Sequence, residues 1–344
     1  MAQREQREKT QARPATMADV ARQVGVSRQL VGLVFSGRPG VGAETEARIR
    51  QAAKDVGYRP NRAAQSLRSD STKYIGLVFH TSESSMNELL PALYSEAKTA
   101  GFDLILSAVS ADHDEATAVD GLLGHRCNGL ILIAPQMNVT RLQKLAREVP
   151  LVLIGRRIEK VRCGAVSSHG EVGVAAAVEH LVALGHRRIA YVVGPEMLDA
   201  EYRLAGYEKG MGRHKLPTDL ISIPGDFAEL GGAAAAEVIL ARRRRPTAVI
   251  CNNDQSAMGL SHRLSQAGIY VPRDISLVGY DDTIARYPYL SFTTVRQDPN
   301  ELAAAAILDI AARIAGTRYL SQTYLTSANL VVRSSSSEPK TKTH

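Results

Sequence analysis

No apolar run in the 344-residue chain approaches the ~20 residues that a membrane-spanning helix needs, and tryptophan is absent altogether. A membrane-spanning helix is therefore not expected. The opening stretch, Met1 to Arg13, is charged and polar and lacks the apolar core of a secretory signal, so a cytoplasmic location is expected. Cysteine is scarce: Cys127, Cys163 and Cys251 stand far apart with no CxxC pair. That spacing fits buried, reduced thiols rather than a zinc site or a disulfide framework. No nucleophile motif, phosphate loop or paired metal ligands can be read, so neither an enzyme nor a bound cofactor is expected. What remains is a chain that is 44% hydrophobic and long enough for one small and one larger domain.

Positive charge is concentrated at one end. Residues 1–73 carry 14 Lys and Arg against 7 Asp and Glu, and the remainder carries 28 of each, so the formal excess of +7 lies in the first fifth of the chain. A small basic unit on a neutral body is the electrostatic footprint of nucleic-acid binding. A solubilising basic tail accounts for Arg4, Arg7, Lys9 and Arg13, but not for the patterned segment that follows.

That segment reads as three short helices. Thr16-Met17-Ala18-Asp19 has the form of a capping box, in which the threonine hydroxyl accepts an N–H and Asp19 brings negative charge to the first turn. Val20, Ala21 and Val24 follow at helical spacing, and Gly25 is suited to the left-handed conformation that ends a helix. Ser27 is placed to cap a second helix containing Leu30, Val31, Val34 and Phe35. Small Ala21 permits a close crossing, so Ala-x-x-x-Gly-x-Ser meets the geometric needs of two helices joined at a steep angle. A third helix spans Ala43 to Val56, closed by Gly57. The second helix presents Arg28 and Gln29 at its N-terminal end, side chains able to pair bidentately with guanine and adenine. Beyond Gly57, Pro60 favours an extended residue before it, and Asn61 can cap a helix of about two turns, too short to be stable alone in water. Leu67, apolar between Arg62 and Arg68, has the chemistry of a minor-groove wedge.

Taken together, Asp19-Val20-Ala21, Gly25-Val26-Ser27, Gly57-Tyr58-Arg59-Pro60-Asn61 and Ala64-Gln65-Ser66-Leu67 resemble the lactose-repressor (LacI/GalR) family of bacterial regulators, and the resemblance continues to about Arg333. It implies a hinge helix that forms on operator DNA, with paired leucines, here Leu67, opening the central step. The DNA-contacting set expected is Thr16, Ser27, Arg28, Gln29, Gly32, Leu33, Tyr58, Asn61, Arg62, Ala64 and Leu67. Gly32-Leu33 stands where the family usually has Ser-Arg, so a different operator sequence is expected, and Gly32 weakens its helix by about 1 kcal/mol relative to alanine.

From Tyr74 onward, short β-rich runs such as Ile75–Phe79, Leu104–Ala108, Gly129–Ile133, Ile189–Val193 and Leu277–Tyr280 alternate with helical stretches, including one expected over Glu237–Arg243. Alternation of this kind predicts parallel sheets covered on both faces, and the length suits two sheets. The resemblance implies a small all-α helix-turn-helix domain at 14–60, a hinge at 61–72, and at 73–333 a two-lobed α/β sensor of the periplasmic-binding-protein-like (type I) class. In that fold the segment from about Pro299 returns to the first lobe. The serine-rich stretch 334–344 is expected to be disordered. It lacks leucine heptads, so a homodimer is expected.

Ligands of open α/β sheets bind beyond the C-terminal strand ends. Asp281-Asp282, Asn252-Asn253-Asp254 and Gln297-Asp298 all lie there, Arg203 opens a helix, and Phe227 offers a ring. This set suits a small polyhydroxylated effector such as a sugar. By resemblance, Arg203, Phe227, Asn253, Asp281 and Gln297 fall at effector positions, whereas Asp254 and Asp282 are equally suited to capping helices. His169-Gly170 replaces the family's frequent Asp-Asn, and with His80 at the first strand's end the pocket departs from the commonest sugar site. Arg242–Arg245 is expected to face solvent at a helix C-terminus, with a second nucleic-acid patch as the less favoured reading. A secreted solute-binding protein would share the sensor fold but needs an export signal and has no use for Thr16–Leu67. An enzyme would turn over its bound small molecule, whereas a sensor releases it unchanged.

Overall fold

A computed structural model describes residues 13, 15–36, 39–59, 73–81, 85–158, 160–193, 200–223 and 229–340. The chain divides into two units at Thr72/Lys73. In the first, helices α1 (Met17–Val24), α2 (Arg28–Ser36) and α3 (Ala43–Asp55) surround a core of Val20, Ala21, Val31, Val34, Ile49, Ala52 and Ala53. Gly25 ends α1 at φ 75, a left-handed conformation that costs a residue with a side chain more than it costs glycine. At the start of α1 the expected capping box forms, with the Thr16 side chain at the Asp19 N–H, and the Thr16 hydroxyl also donates to the Asp19 carboxylate at 2.7 Å. Asp19 also accepts the Thr16 N–H at 2.9 Å, and the two Thr16 bonds hold its carboxyl below the usual carboxylate range.

The second unit holds two six-stranded sheets. The first sheet, in the order β11-β5-β4-β3-β1-β2, joins β1 (Tyr74–His80), β2 (Asp103–Val109), β3 (Gly129–Ile133), β4 (Leu151–Ile154), β5 (Gly164–Ser168) and β11 (Gln322–Thr326), all parallel. One face carries α4 (Met86–Thr99) and α11 (Pro299–Ile314), and the other α5 (Glu115–Gly124) and α6 (Val139–Glu148), with a separate apolar cluster under each pair. The second sheet, in the order β12-β10-β9-β8-β6-β7, joins β6 (Ile189–Val193), β7 (Leu220–Ser222), β8 (Ala248–Ile250), β9 (Ser276–Asp281), β10 (Thr293–Gln297) and β12 (Ala328–Val331). Only β12 runs antiparallel to its neighbour. Its helices are α7 (Gly170–Ala183) and α8 (Ala200–Arg213) on one face, and α9 (Glu229–Leu240) and α10 (Asp254–Gln266) on the other. A Cβ on Gly232 or Gly259 would stand 1.9 Å from a facing backbone oxygen, so these glycines set the approach of α9 to α10.

The chain crosses between lobes at residues 168–170, 297–299 and 326–328. The segment from Pro299 does return to the first lobe, because Leu302, Ala303, Ala306, Ile307 and Ile310 of α11 complete that lobe's core.

Two expectations are corrected. Helix α9 occupies Glu229–Leu240 rather than Glu237–Arg243, so Arg242–Arg245 lie beyond its last turn, and Arg242 pairs with Asp219 at 2.7 Å. The stretch after Arg333 is not a disordered tail through Lys340. Ser335 is 2% exposed, its hydroxyl accepts the Thr293 N–H at 2.8 Å and donates to the Leu277 carbonyl at 2.6 Å, and its carbonyl accepts the Leu277 N–H. The Ser337 carbonyl lies 2.8 Å from Nε2 of buried His186, whose pKa burial pushes down. Serine-rich composition is compatible with order here because these hydroxyls and carbonyls satisfy buried polar groups of the second sheet.

Candidate nucleic-acid interface and ligand cleft

In the first unit the apolar stripe of α2 fixes which side chains face outward. Val31 and Val34 are buried, while Arg28 and Gln29 are exposed at the N-terminal turn. The Ser27 hydroxyl accepts the Leu30 N–H at 3.1 Å and so caps α2. Gly32 and Leu33 are half-buried, and the position of a Cβ on Gly32 is open space. Tyr58 packs edge-on against Phe35 with centroids 5.4 Å apart, so its ring serves the core, and burial raises its pKa. Asn61, Arg62, Ala64, Leu67 and Phe227 lie outside the described residues.

At the C-terminal ends of the second sheet's strands the predicted ligand residues converge in part. Asp281 ends β9 at φ 98 and Asp282 follows at φ 60. Two consecutive non-glycine residues in this region store strain, of the order of 1–3 kcal/mol each, which collects at functional turns. Gln297, at the end of β10, donates from its side-chain amide to Asp281 at 2.7 Å. Arg203 donates to the Asn252 carbonyl at 2.6 Å, and its guanidinium lies 4.3 Å from the centre of the Tyr280 ring. Asn253 is engaged differently: its side chain accepts the Ser256 N–H at 2.9 Å and caps α10.

Asp254 is 1% exposed and accepts from the Thr283 N–H, the Ala285 N–H and the Thr294 hydroxyl at 2.9, 3.3 and 2.7 Å. It therefore holds the Asp281-Asp282 turn against β10. Burial, with the neighbouring Asp281 carboxylate, pushes its pKa up to about 7. Asp282 likewise points to structure, being 3% exposed and 2.7 Å from Arg333.

Other groups in the cleft were not singled out by the sequence. Arg157, just past β4, pairs with Glu171 at 3.1 Å, donates to the Ser168 carbonyl at 2.7 Å, and lies 3.8 Å from the centre of the Tyr202 ring. The Tyr280 hydroxyl is 2.8 Å from Ser168 Oγ, which ties the end of β9 to the end of β5 in the other lobe. A Cβ on Gly170 would stand 3.0 Å from Arg203 Cγ and 3.1 Å from the Tyr280 hydroxyl, so this departure from the family pattern makes room for both. The strand-end rule, applied to the first lobe as well as the second, would have pointed to Arg157 and Ser168.

On the first lobe, a recess of about 540 Å³ opens at the ends of β1, β2 and β3. His80 Nε2 lies in it 2.9 Å from Glu115, which also accepts the Gln136 and Met137 N–H groups at 2.7 and 2.8 Å. Burial works to raise the Glu115 pKa, but His80 and the Gln136 N–H outweigh it and hold the carboxyl below its ordinary value. The cleft as a whole offers carboxylate, guanidinium, amide and hydroxyl groups, which suit hydrogen bonding to a polar ligand.

Comparison with known proteins finds relatives for both units of the chain. The profile for bacterial regulatory proteins of the lacI family matches residues 16–61, and that for a periplasmic binding protein-like domain matches residues 178–336. The chain is 31% identical over 340 residues to the lactose operon repressor of Escherichia coli K12, covering 96% of this chain and 93% of that protein. Among solved structures it is similar to the Lac repressor dimer bound to operator and the anti-inducer ONPF, with a TM-score of 0.81 at 30% identity over 94% of this chain and 100% of that one. It is also similar to a complex of the transcriptional regulator CelR with cellobiose, with a TM-score of 0.69 at 25% identity over 93% and 99% of the two chains.

Proposed function

Since the chain belongs to the LacI family of bacterial regulatory proteins, we propose that Arg28 and Gln29 read operator bases from α2, and that Asp281, Gln297 and Arg203 bind a sugar-like effector between the lobes. The protein is a sequence-specific DNA-binding transcription regulator of the repressor type, controlled by a small molecule. It works as a cytoplasmic homodimer, and by binding rather than turnover. The observation that carries the reading is the pairing of a basic three-helix unit, with Arg28 and Gln29 exposed beside a buried Val31/Val34 stripe, with a two-lobed body that has a strained polar turn at its cleft.

The mechanism follows from the covalent layout. Three crossings and the Ser168–Tyr280 and Arg157–Glu171 contacts join the lobes, so a ligand held by Asp281 and its neighbours shifts the balance between lobe angles. Residues 61–72 connect the first lobe to the DNA-binding unit. In this proposal they form helices only when paired on operator, with Asn61, Arg62 and Ala64 at the backbone and Leu67 as the wedge. A change in lobe angle separates or approximates the paired hinges. Whether the effector releases or tightens DNA depends on which state it binds better.

Genomic footprinting with the purified protein, repeated across a panel of sugars and nucleobases, tests the reading. Discrete footprints that one ligand class shifts are expected. Uniform, sequence-independent protection that no ligand alters would refute it.

A further inference from the structure

Eight cations and one carboxylate lie in three loops, with the last residue of α8, at the N-terminal ends of β6, β7 and β8, the end of the second lobe's sheet opposite the ligand cleft: residues 185–188, 213–219 and 241–247. This local excess equals the +7 of the whole chain, although residues 74–344 together are neutral. Hydrogen bonds lock the first and third of these loops together. The Thr247 N–H donates to the Arg188 carbonyl at 2.9 Å, and the Arg188 Nε donates to the Arg245 carbonyl at 3.2 Å. Asp219 spends its carboxylate on Arg242, at 2.7 and 2.9 Å. Glu179, the acid that reaches this end from α7, is taken up by His214 at 2.5 Å and Arg213 at 3.6 Å. Arg187 and Arg188 in one loop, Lys215 in the second, and Arg243, Arg244 and Arg245 in the third are all exposed.

We infer that this cationic end of the second lobe is a docking surface for the phosphate backbone of a second duplex segment, apart from the DNA held by α2. Seven of the eight cations are arginines, whose planar fork matches phosphate oxygens. The surface is poor in the apolar anchors that a protein partner needs: of the large hydrophobic side chains exposed among the described residues, only Leu220 adjoins these loops. Like charges held this close repel one another, and a polyanion whose condensed counterions are released on contact is the ligand that relieves the repulsion. The inference rests on the DNA-binding reading only in supplying the partner, since a regulator already on DNA meets neighbouring duplex at high local concentration.

The test uses full-length protein loaded on bead-bound genomic fragments, washed, and offered a short fluorescent duplex of unrelated sequence at about 50 mM salt, where phosphate contacts are strongest. The wild type retains the second duplex. Arg243→Glu/Arg244→Glu loads equally but loses capture by at least about tenfold, and raising the salt to about 200 mM releases the duplex from the wild type. Failure to load at all removes both the DNA-binding reading and this one. Loading without capture, or capture that the double variant keeps, overturns this inference alone. Preferential capture of a polyglutamate peptide over the duplex also overturns it, in favour of an acidic protein partner.

Discussion

Asp254 makes the stability of the sensor unit depend on pH in a direction opposite to that of an ordinary salt-bridged carboxylate. Its folded pKa is about 7 against 3.8 without the fold, so the folded chain binds this proton more tightly than the unfolded chain does. The contribution is fully present below about pH 4 and is lost as pH rises through 7. Three units at ~1.4 kcal/mol each amount to about 4 kcal/mol, of which roughly 3 kcal/mol falls between pH 5 and pH 8. Asp254→Asn is the diagnostic change. An amide oxygen can accept the Thr283 and Ala285 N–H groups as the carboxyl does, and the amide N–H can donate to the Thr294 hydroxyl once that hydroxyl turns from donor to acceptor. Urea unfolding followed by circular dichroism at pH 5 and pH 8 should show the wild type losing about 3 kcal/mol over that interval relative to the variant. Asp281→Asn, which removes the neighbouring charge, should move the wild-type midpoint to lower pH. Equal pH slopes in wild type and Asp254→Asn would refute the reasoning, as would a variant several kcal/mol weaker at both pH values. Either result would mean that the buried carboxylate is ionised and supported by its three donors.

Other expectations can be checked separately. Arg28→Ala should relax preference at one operator base pair by about 1–3 kcal/mol in a selection from random duplexes, and a uniform loss across sequences would reassign it to a phosphate. Asp281→Ala should abolish the ligand-induced change in DNA binding while leaving DNA affinity without ligand intact; a surviving response would place the effector elsewhere. Gly32→Ala, whose Cβ meets open space, should stabilise the DNA-binding unit by about 1 kcal/mol in thermal unfolding, and no gain would show that the glycine backbone is needed there. Truncation after Arg333 strips buried Leu277 and Thr293 of their Ser335 partners and should cost at least ~3 kcal/mol in urea unfolding, whereas an unchanged midpoint would return the segment to the status of a tail.

What the sequence revealed and what it hid divide along a physical line. Helix α2 was legible because its signals are local: Ser27 caps within three residues, and Val31 and Val34 mark the buried face by spacing alone. Strands such as β1, β3, β6 and β9 were legible because buried parallel strands read as short apolar, β-branched runs, whereas β5, β7, β11 and β12 were not read from the sequence. Roles that depend on partners distant in the chain were not legible. Asn253 and Asp254 are adjacent strand-end residues of nearly the same chemistry, yet Asn253 caps α10 while Asp254 is pinned by Thr283, Ala285 and Thr294. No pattern within a few residues separates the two, because the donors that decide the matter arrive 29 to 40 positions later. The same holds for Arg157, whose partners Glu171 and Tyr202 arrive across a lobe crossing, and for Ser335, whose composition suggested a tail while its hydroxyl closes a gap 58 positions away at Leu277. Ligand specificity must belong to this second class. The turn at Asp281-Asp282 takes its shape from buried Asp254 and from Gln297 beside it, so in the proposed site a change at Asp254 alters effector binding without touching a residue that the cleft exposes. Substitutions that retune the effector should therefore include positions behind the turn as well as those on its surface.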